Sequence, residues 1–270
     1  MNIFSKVSLL GTSNLPKPWR PAFQSPELAT QTRWQSITYG NGIYLARGAF
    51  NTKYLSTSTD GIDWVTPYEA VESDQYDEFK YTQSVAYGNG VFVAVGSSSS
   101  FVSTDAINWN VASTSGGGTR ITNVIFDGEK FVVIDARLQQ LWTSTNGTNW
   151  QETGTYGGFG AATYLAFDGS KYVINGQNGL MITSTDLANW AETQPTGITG
   201  QFVYSMYMGY DGSRFFGVYN GQISYSTDGI NWTTPVTDSN LGNHNWTAST
   251  TNDIKTVLIS SDGYISTKRV

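Results

Sequence analysis

Apolar residues alternate with polar or small ones in short bursts along the whole chain, as in Val91-Phe-Val-Ala-Val95 and Phe131-Val-Val-Ile134. A period of two over four to six residues predicts half-buried β-strands, and no stretch carries the three-to-four spacing or capping signals of a helix. Each burst is preceded by a glycine-rich turn: Tyr39-Gly-Asn-Gly, Tyr87-Gly-Asn-Gly, Phe126-Asp-Gly-Glu, Phe167-Asp-Gly-Ser and Tyr210-Asp-Gly-Ser, with a weaker sixth copy at Thr251-Asn-Asp-Ile. Asn-Gly and Asp-Gly supply the positive φ that tight hairpins need, so each copy predicts the joint between a first and a second strand.

A second motif follows the first five hairpins: Ser58-Thr-Asp-Gly-Ile-Asp-Trp64, Ser103-Thr-Asp-Ala-Ile-Asn-Trp109, Ser144-Thr-Asn-Gly-Thr-Asn-Trp150, Ser184-Thr-Asp-Leu-Ala-Asn-Trp190 and Ser226-Thr-Asp-Gly-Ile-Asn-Trp232. Successive tryptophans lie 45, 41, 40 and 42 residues apart. A period near forty built from short strands is that of a propeller blade. The expectation is an all-β fold: a six-bladed β-propeller of four-stranded antiparallel blades, residues 1–270 forming one domain. Six hairpins against five Ser-Thr-Asp phrases leave the last blade one strand short, since Gly263-Tyr-Ile-Ser-Thr267 matches Gly221-Gln-Ile-Ser-Tyr225 and the sequence stops at Val270. The arm 1–19 is expected to supply that outer strand through Lys6-Val-Ser-Leu-Leu10, with Trp19, 45 residues before Trp64, ending a degenerate phrase; residues 20–270 hold the six repeats. Ring closure of this kind leaves no open sheet edge.

The Ser-x-Asp-Gly-x-x-Trp phrase resembles the Asp-box, or BNR repeat, of sialidases and of many propellers that are not sialidases. Its aspartate-to-tryptophan spacing is one residue shorter than the sialidase form, and Asn146 replaces Asp in the third copy. The repeat style is also similar to propellers encoded in phage tail regions. Physically the phrase is a turn: Asp60, Asp105, Asn146, Asp186 and Asp228 accept backbone N–H bonds within it, and Trp64, Trp109, Trp150, Trp190 and Trp232 bury their rings between sheets. One carboxylate per turn is too few oxygen ligands for calcium, so no metal is expected there.

Blade connectivity puts the hairpins and the phrases on one, uniform side and the remaining links on the other. The second side varies: an acidic and aromatic link at 67–81, with five carboxylates between Glu69 and Glu78; Gly116-Gly-Gly118; Tyr156-Gly-Gly-Phe159; and a link at 235–246 holding His244, the single histidine. Variable loops on a rigid frame carry function, so ligands are expected on this side. Four of the seven arginines fall near it. Arg33 and Arg120 precede inner strands, Arg47 ends a second strand, and Arg137 follows one; converging guanidinium groups suit a carboxylate. Tyr156 and Phe159, flanked by glycines, are candidates either to stack on a sugar face or to pack their loop onto the propeller top.

The composition narrows the chemistry. Net charge is −6, and charged residues make up 13% against 14% aromatic, with 29 glycines. That balance excludes a nucleic-acid face, which needs a basic footprint. The absence of cysteine excludes disulfides, thiol nucleophiles and thiolate metal sites. No membrane-spanning run and no signal-peptide core is present in the sequence. Inner strands 35–39, 83–87, 123–126 and 164–167 carry no carboxylate, whereas glycoside hydrolysis requires paired acidic groups or a tyrosine with acidic help. The expectation is therefore a non-enzymatic structural or adhesion module without cofactor. Its resemblance implies a bacteriophage virion protein (tail fibre, baseplate or head decoration) contacting other virion proteins or a host receptor, with homo-oligomers compatible. A glycan-binding lectin is the second reading and a sialidase-like hydrolase the third.

Overall fold

The computed structural model describes residues 17–31, 33–69, 74–96, 99–113, 121–157, 162–176 and 181–270. It contains six four-stranded antiparallel sheets. The first, innermost strands are Trp34–Gly40, Thr82–Gly88, Ile121–Phe126, Ala162–Phe167, Tyr207–Tyr210 and Trp246–Thr251. Each is hairpinned to the next strand and each contacts the first strand of the neighbouring blade, the sixth returning to the first. The result is the closed six-bladed ring expected.

Closure comes from the N-terminal side, by a different segment. Phe23–Gln24 pairs with the third strand of the last blade, Tyr264–Arg269, in the register Phe23↔Ile265 and Gln24↔Tyr264. Upstream, the Arg20 N–H donates to the Thr267 carbonyl at 2.8 Å, and the Ser266 hydroxyl donates to the Arg20 carbonyl at 2.7 Å. Two residues suffice because outer strands here are short; those of blades 1 and 5 are Tyr68–Glu69 and Val236–Thr237. Lys6–Leu10 lies outside the described residues.

Trp19 takes the place the spacing gave it. It is 2% exposed and packs edge-on against Phe216, ring centroids 5.4 Å apart, in a cluster that joins blade 5 to Trp246 and Leu258 of blade 6. Trp64 fills the same wedge between blades 6 and 1, and Trp109, Trp150, Trp190 and Trp232 fill the other four. Six tryptophans thus serve six wedges, because adjacent sheets diverge outward and only a large ring fills the gap.

The phrases are turns of one geometry. Asp60 Oδ1 accepts from the N–H groups of Ile62 and Asp63, both at 2.9 Å, while the Ser58 hydroxyl donates to it and accepts from Gly61. The same pair of N–H bonds to Oδ1 recurs at Asp105, Asn146, Asp186 and Asp228. The fourth residue has positive φ in all five, including Ala106 at 64° and Leu187 at 64°, whose side chains are buried. Where it is glycine, a valine of the preceding blade stands against it: a Cβ on Gly229 would lie 2.4 Å from Val173.

These bonds make the ring sensitive to acid. At Asp105 and Asp186 the backbone N–H groups and the Asn108 and Asn189 side chains hold the carboxyl well below the usual range. At Asp60 and Asp228 burial works upward, yet the turn bonds outweigh it, and Asp228 sits at about 2. A carboxyl with a lower pKa folded than unfolded stabilises the native state above the unfolded value near 4 and loses that contribution as pH falls toward the folded value. The melting temperature is therefore expected to be flat from about pH 7 to 5 and to fall below about pH 4. Asp105→Asn with Asp186→Asn, which copies the third turn, should flatten that acid limb; scanning calorimetry across pH checks both, and an unchanged limb would refute the account.

Helix does occur, contrary to the sequence reading. Pro26–Ala29 is one turn whose N-cap, Ser25, accepts from the Leu28 N–H, with proline at the first position where its missing donor costs nothing. Gln201–Ser205 is a second. The acidic link turns out to contain a 3₁₀ segment, Asp74–Tyr81. All three lie in links between blades, where no sheet partner competes for the backbone.

Candidate functional site

The six inner strands enclose an axial channel of about 880 Å³. In five blades the register of the inner hairpin slips by one residue near the variable face: between Trp34 and Ser36, Thr82 and Ser84, Ile121 and Asn123, Ala162 and Tyr164, and Trp246 and Ala248. The extra residue of such a bulge is released from the ladder and re-aimed. Here the five extra residues, Gln35, Gln83, Thr122, Thr163 and Thr247, all line the channel. Every one is neutral and capable of hydrogen bonding.

Beneath them runs a ladder between blades. Ser36 Oγ accepts from the Val85 N–H at 3.0 Å, Ser84 Oγ from Val124 at 3.1 Å, and Asn123 Oδ1 from Leu165 at 3.2 Å; the Tyr207 hydroxyl accepts from Ser249 at 2.7 Å. Each bond satisfies an inner-strand N–H that has no fifth strand to pair with. Among the described residues no side-chain acceptor reaches the N–H of Ile37 or Met208, which hold the same register; Ala248 and Tyr164 stand at the acceptor positions of the blades before them. At the uniform mouth, Tyr39, Tyr87, Phe126, Phe167 and Tyr210 form a half-buried aromatic collar. Each leans on a second-strand ring, at centroid distances from 4.3 Å for Phe167–Tyr172 to 5.3 Å for Tyr210–Phe215.

The electrostatics are nearly blank. Among the described residues lining the channel, Arg33 alone is charged; it is exposed at the variable mouth, with φ of 71°. Burial pushes the Tyr164 hydroxyl up to about 12 and Tyr207 higher still, so neither is primed as a phenolate nucleophile.

Of the four arginines singled out in the sequence, only Arg33 lines the channel among the described residues. Arg47 is fully buried, donating to Thr82 Oγ1 at 2.7 Å, to the Thr52, Phe79 and Lys80 carbonyls at 3.1–3.2 Å, and to the Gly48 carbonyl. It braces the links above blades 1 and 2 and offers nothing to a ligand. Burial lowers its pKa to about 9, which leaves it charged at neutral pH. Arg137 is exposed in a turn whose N–H groups Asp135 caps, and it does not line the channel. Tyr156, expected as a stacking platform, is instead core: 1% exposed, its hydroxyl donates to the Asp135 carbonyl at 3.0 Å. Arg120 and Phe159 lie outside the described residues. His244 stacks on Tyr264 at 3.6 Å with Nδ1 3.7 Å from Asp262. No group of three metal-ligating side chains occurs among the described residues.

Sequence reasoning missed the bulge residues and the collar as a site. The repeated Tyr/Phe before each hairpin turn was a visible signal, but a half-buried ring at a strand end reads as core.

The fold is shared widely. YCF48 bound to D1 peptide superposes with a TM-score of 0.61 at 15% identity, covering 94% of this chain and 97% of that one. Virginiamycin B lyase from Staphylococcus aureus gives 0.62 at 8% identity over 93% and 99%. The WD40 β-propeller domain of Doa1 gives 0.57 at 11% over 86% and 77%. The likeness is one of fold alone. No protein-family model matches the sequence, and no curated protein matches it.

Proposed function

We propose that this chain is a non-enzymatic attachment module, a rigid ring that binds a protein partner through its variable face. The observation that carries this reading is the disposal of its reactive groups. Every repeated aspartate in the phrases is spent on its own turn, and the channel holds one arginine and no described carboxylate or histidine. What remains available on the variable face is irregular links and apolar side chains, such as Phe50 at 47% and Tyr81 at 36% exposure, their rings 5.5 Å apart. Exposed aromatic pairs on an otherwise polar rim suit protein contact. A fold neighbour bound to a peptide is consistent with that use, by analogy of architecture only.

The finer reading is a virion component of a tailed phage, with the phrase serving as an Asp-box-type structural turn. The neutral, glycine-rich surface and the turn chemistry support it. Antibody labelling of gradient-purified particles, with peptide counting by mass spectrometry, should find the chain at fixed stoichiometry. Recovery only in the free lysate overturns the virion reading, and turnover of a fluorogenic neuraminic acid substrate overturns the non-enzymatic one.

A further inference from the structure

The channel is built for a ligand of a chemistry the variable face does not specify. Its volume of about 880 Å³ falls within the range of small-molecule sites, about 300–1,000 Å³. The bulged ring supplies both amide and hydroxyl groups. Thr122 and Thr247 are engaged with the Ala162 and Trp34 carbonyls, and Gln35 Oε1 accepts from Phe50. The Gln83 and Thr163 side chains make no hydrogen bond to the described residues and line the channel. The Ile37 and Met208 N–H groups add backbone donors without side-chain acceptors at the level below. The far mouth is lined by five half-buried aromatic rings.

We propose that this channel binds the uncharged end of a glycan chain. A sugar offers hydroxyls in pairs, each donor and acceptor at once, matched by amides and threonine hydroxyls that do both. Its C–H faces pack on aromatic rings, as the collar allows. A peptide end carries an ammonium or carboxylate that would be desolvated here, and the channel's lining provides no carboxylate for the first and only rim-exposed Arg33 for the second. An anionic sugar is disfavoured on the same ground. The site is separate from the protein contact proposed above and stands or falls without it.

The test is saturation-transfer NMR and calorimetric titration of the full chain with maltotetraose, triacetylchitotriose and lacto-N-tetraose. At least one should bind. Gln83→Ala, which removes no protein contact, should weaken it about fivefold, the loss of one hydrogen bond, with melting temperature unchanged. Thr163→Trp, which narrows the channel at the bulged ring, should abolish it. The proposal is overturned if none of the three binds at millimolar concentration, or if binding is unaltered in Gln83→Ala or in folded Thr163→Trp. Binding of sialylated glycans alone, lost with Arg33→Ala and kept in Gln83→Ala, overturns it too.

Discussion

Arg47→Met should lower stability by about 2–4 kcal/mol, since buried carbonyls that lose their donor cost about 1–3 kcal/mol each, and the melting temperature by about 10 °C at roughly 2–4 °C per kcal/mol for a chain of this size. The guanidinium is the sole donor from a side chain to the Thr52 and Gly48 carbonyls, and it also reaches Thr82, Phe79 and Lys80. Methionine fills much of the volume but takes the guanidinium donor from the Thr52 and Gly48 carbonyls, whereas Phe79 and Lys80 keep the Thr82 hydroxyl and the Asn51 N–H. Arg47→Lys should fall between, since an ammonium has three donors and no planar fork. Denaturant unfolding gives the values; a loss under 1 kcal/mol would show that the links do not depend on this cation. Channel binding, read in parallel, should persist in any fraction that remains folded, because Arg47 does not line the channel.

Gly88→Ala is the second large effect. Gly88 φ is ordinary, so backbone freedom is not the issue. A Cβ there would sit 2.1 Å from Cδ2 of Phe126 in the next blade. Gly40 meets Tyr87 in the same way, at 1.9 Å. The collar ring of one blade lies flat on the backbone of its neighbour, and a methyl must push blades apart or expel the ring. Overpacking of this kind costs about 1–3 kcal/mol or more, and a closed ring cannot relieve it by opening. Adding Phe126→Leu should recover part of the loss. If Gly88→Ala alone leaves the melting temperature unaltered, the blade contact is looser than described.

Much of the architecture was legible because each blade repeats local chemistry. Positive φ at Gly61 and Gly147, alternation in the second strands and the Asx bonds of Asp60 or Asp228 are all decided within a few residues. Spacing alone put Trp19 in the sixth wedge. The closing strand was misplaced because a strand of two residues, Phe23–Gln24, carries no periodicity to read. Arg47 and Tyr156 were assigned to the rim for a related reason. Arg47 stands near the end of its strand and Tyr156 just past one, next to links that face outward on average, and only the folding of those links over them encloses both side chains.

Sequence by itself determined the repeat, the blade count, the turn chemistry and the fact of closure by the N-terminal side, since these rest on hydrogen bonds and side-chain alternation inside units of about forty residues. The tertiary structure alone decided which arginine is buried, which residues bulge into the axis, and that Gln83 and Thr163 face one channel. Those outcomes depend on how six separate sheets converge on a common axis, and residues some forty positions apart meet there through ring geometry that no local pattern encodes.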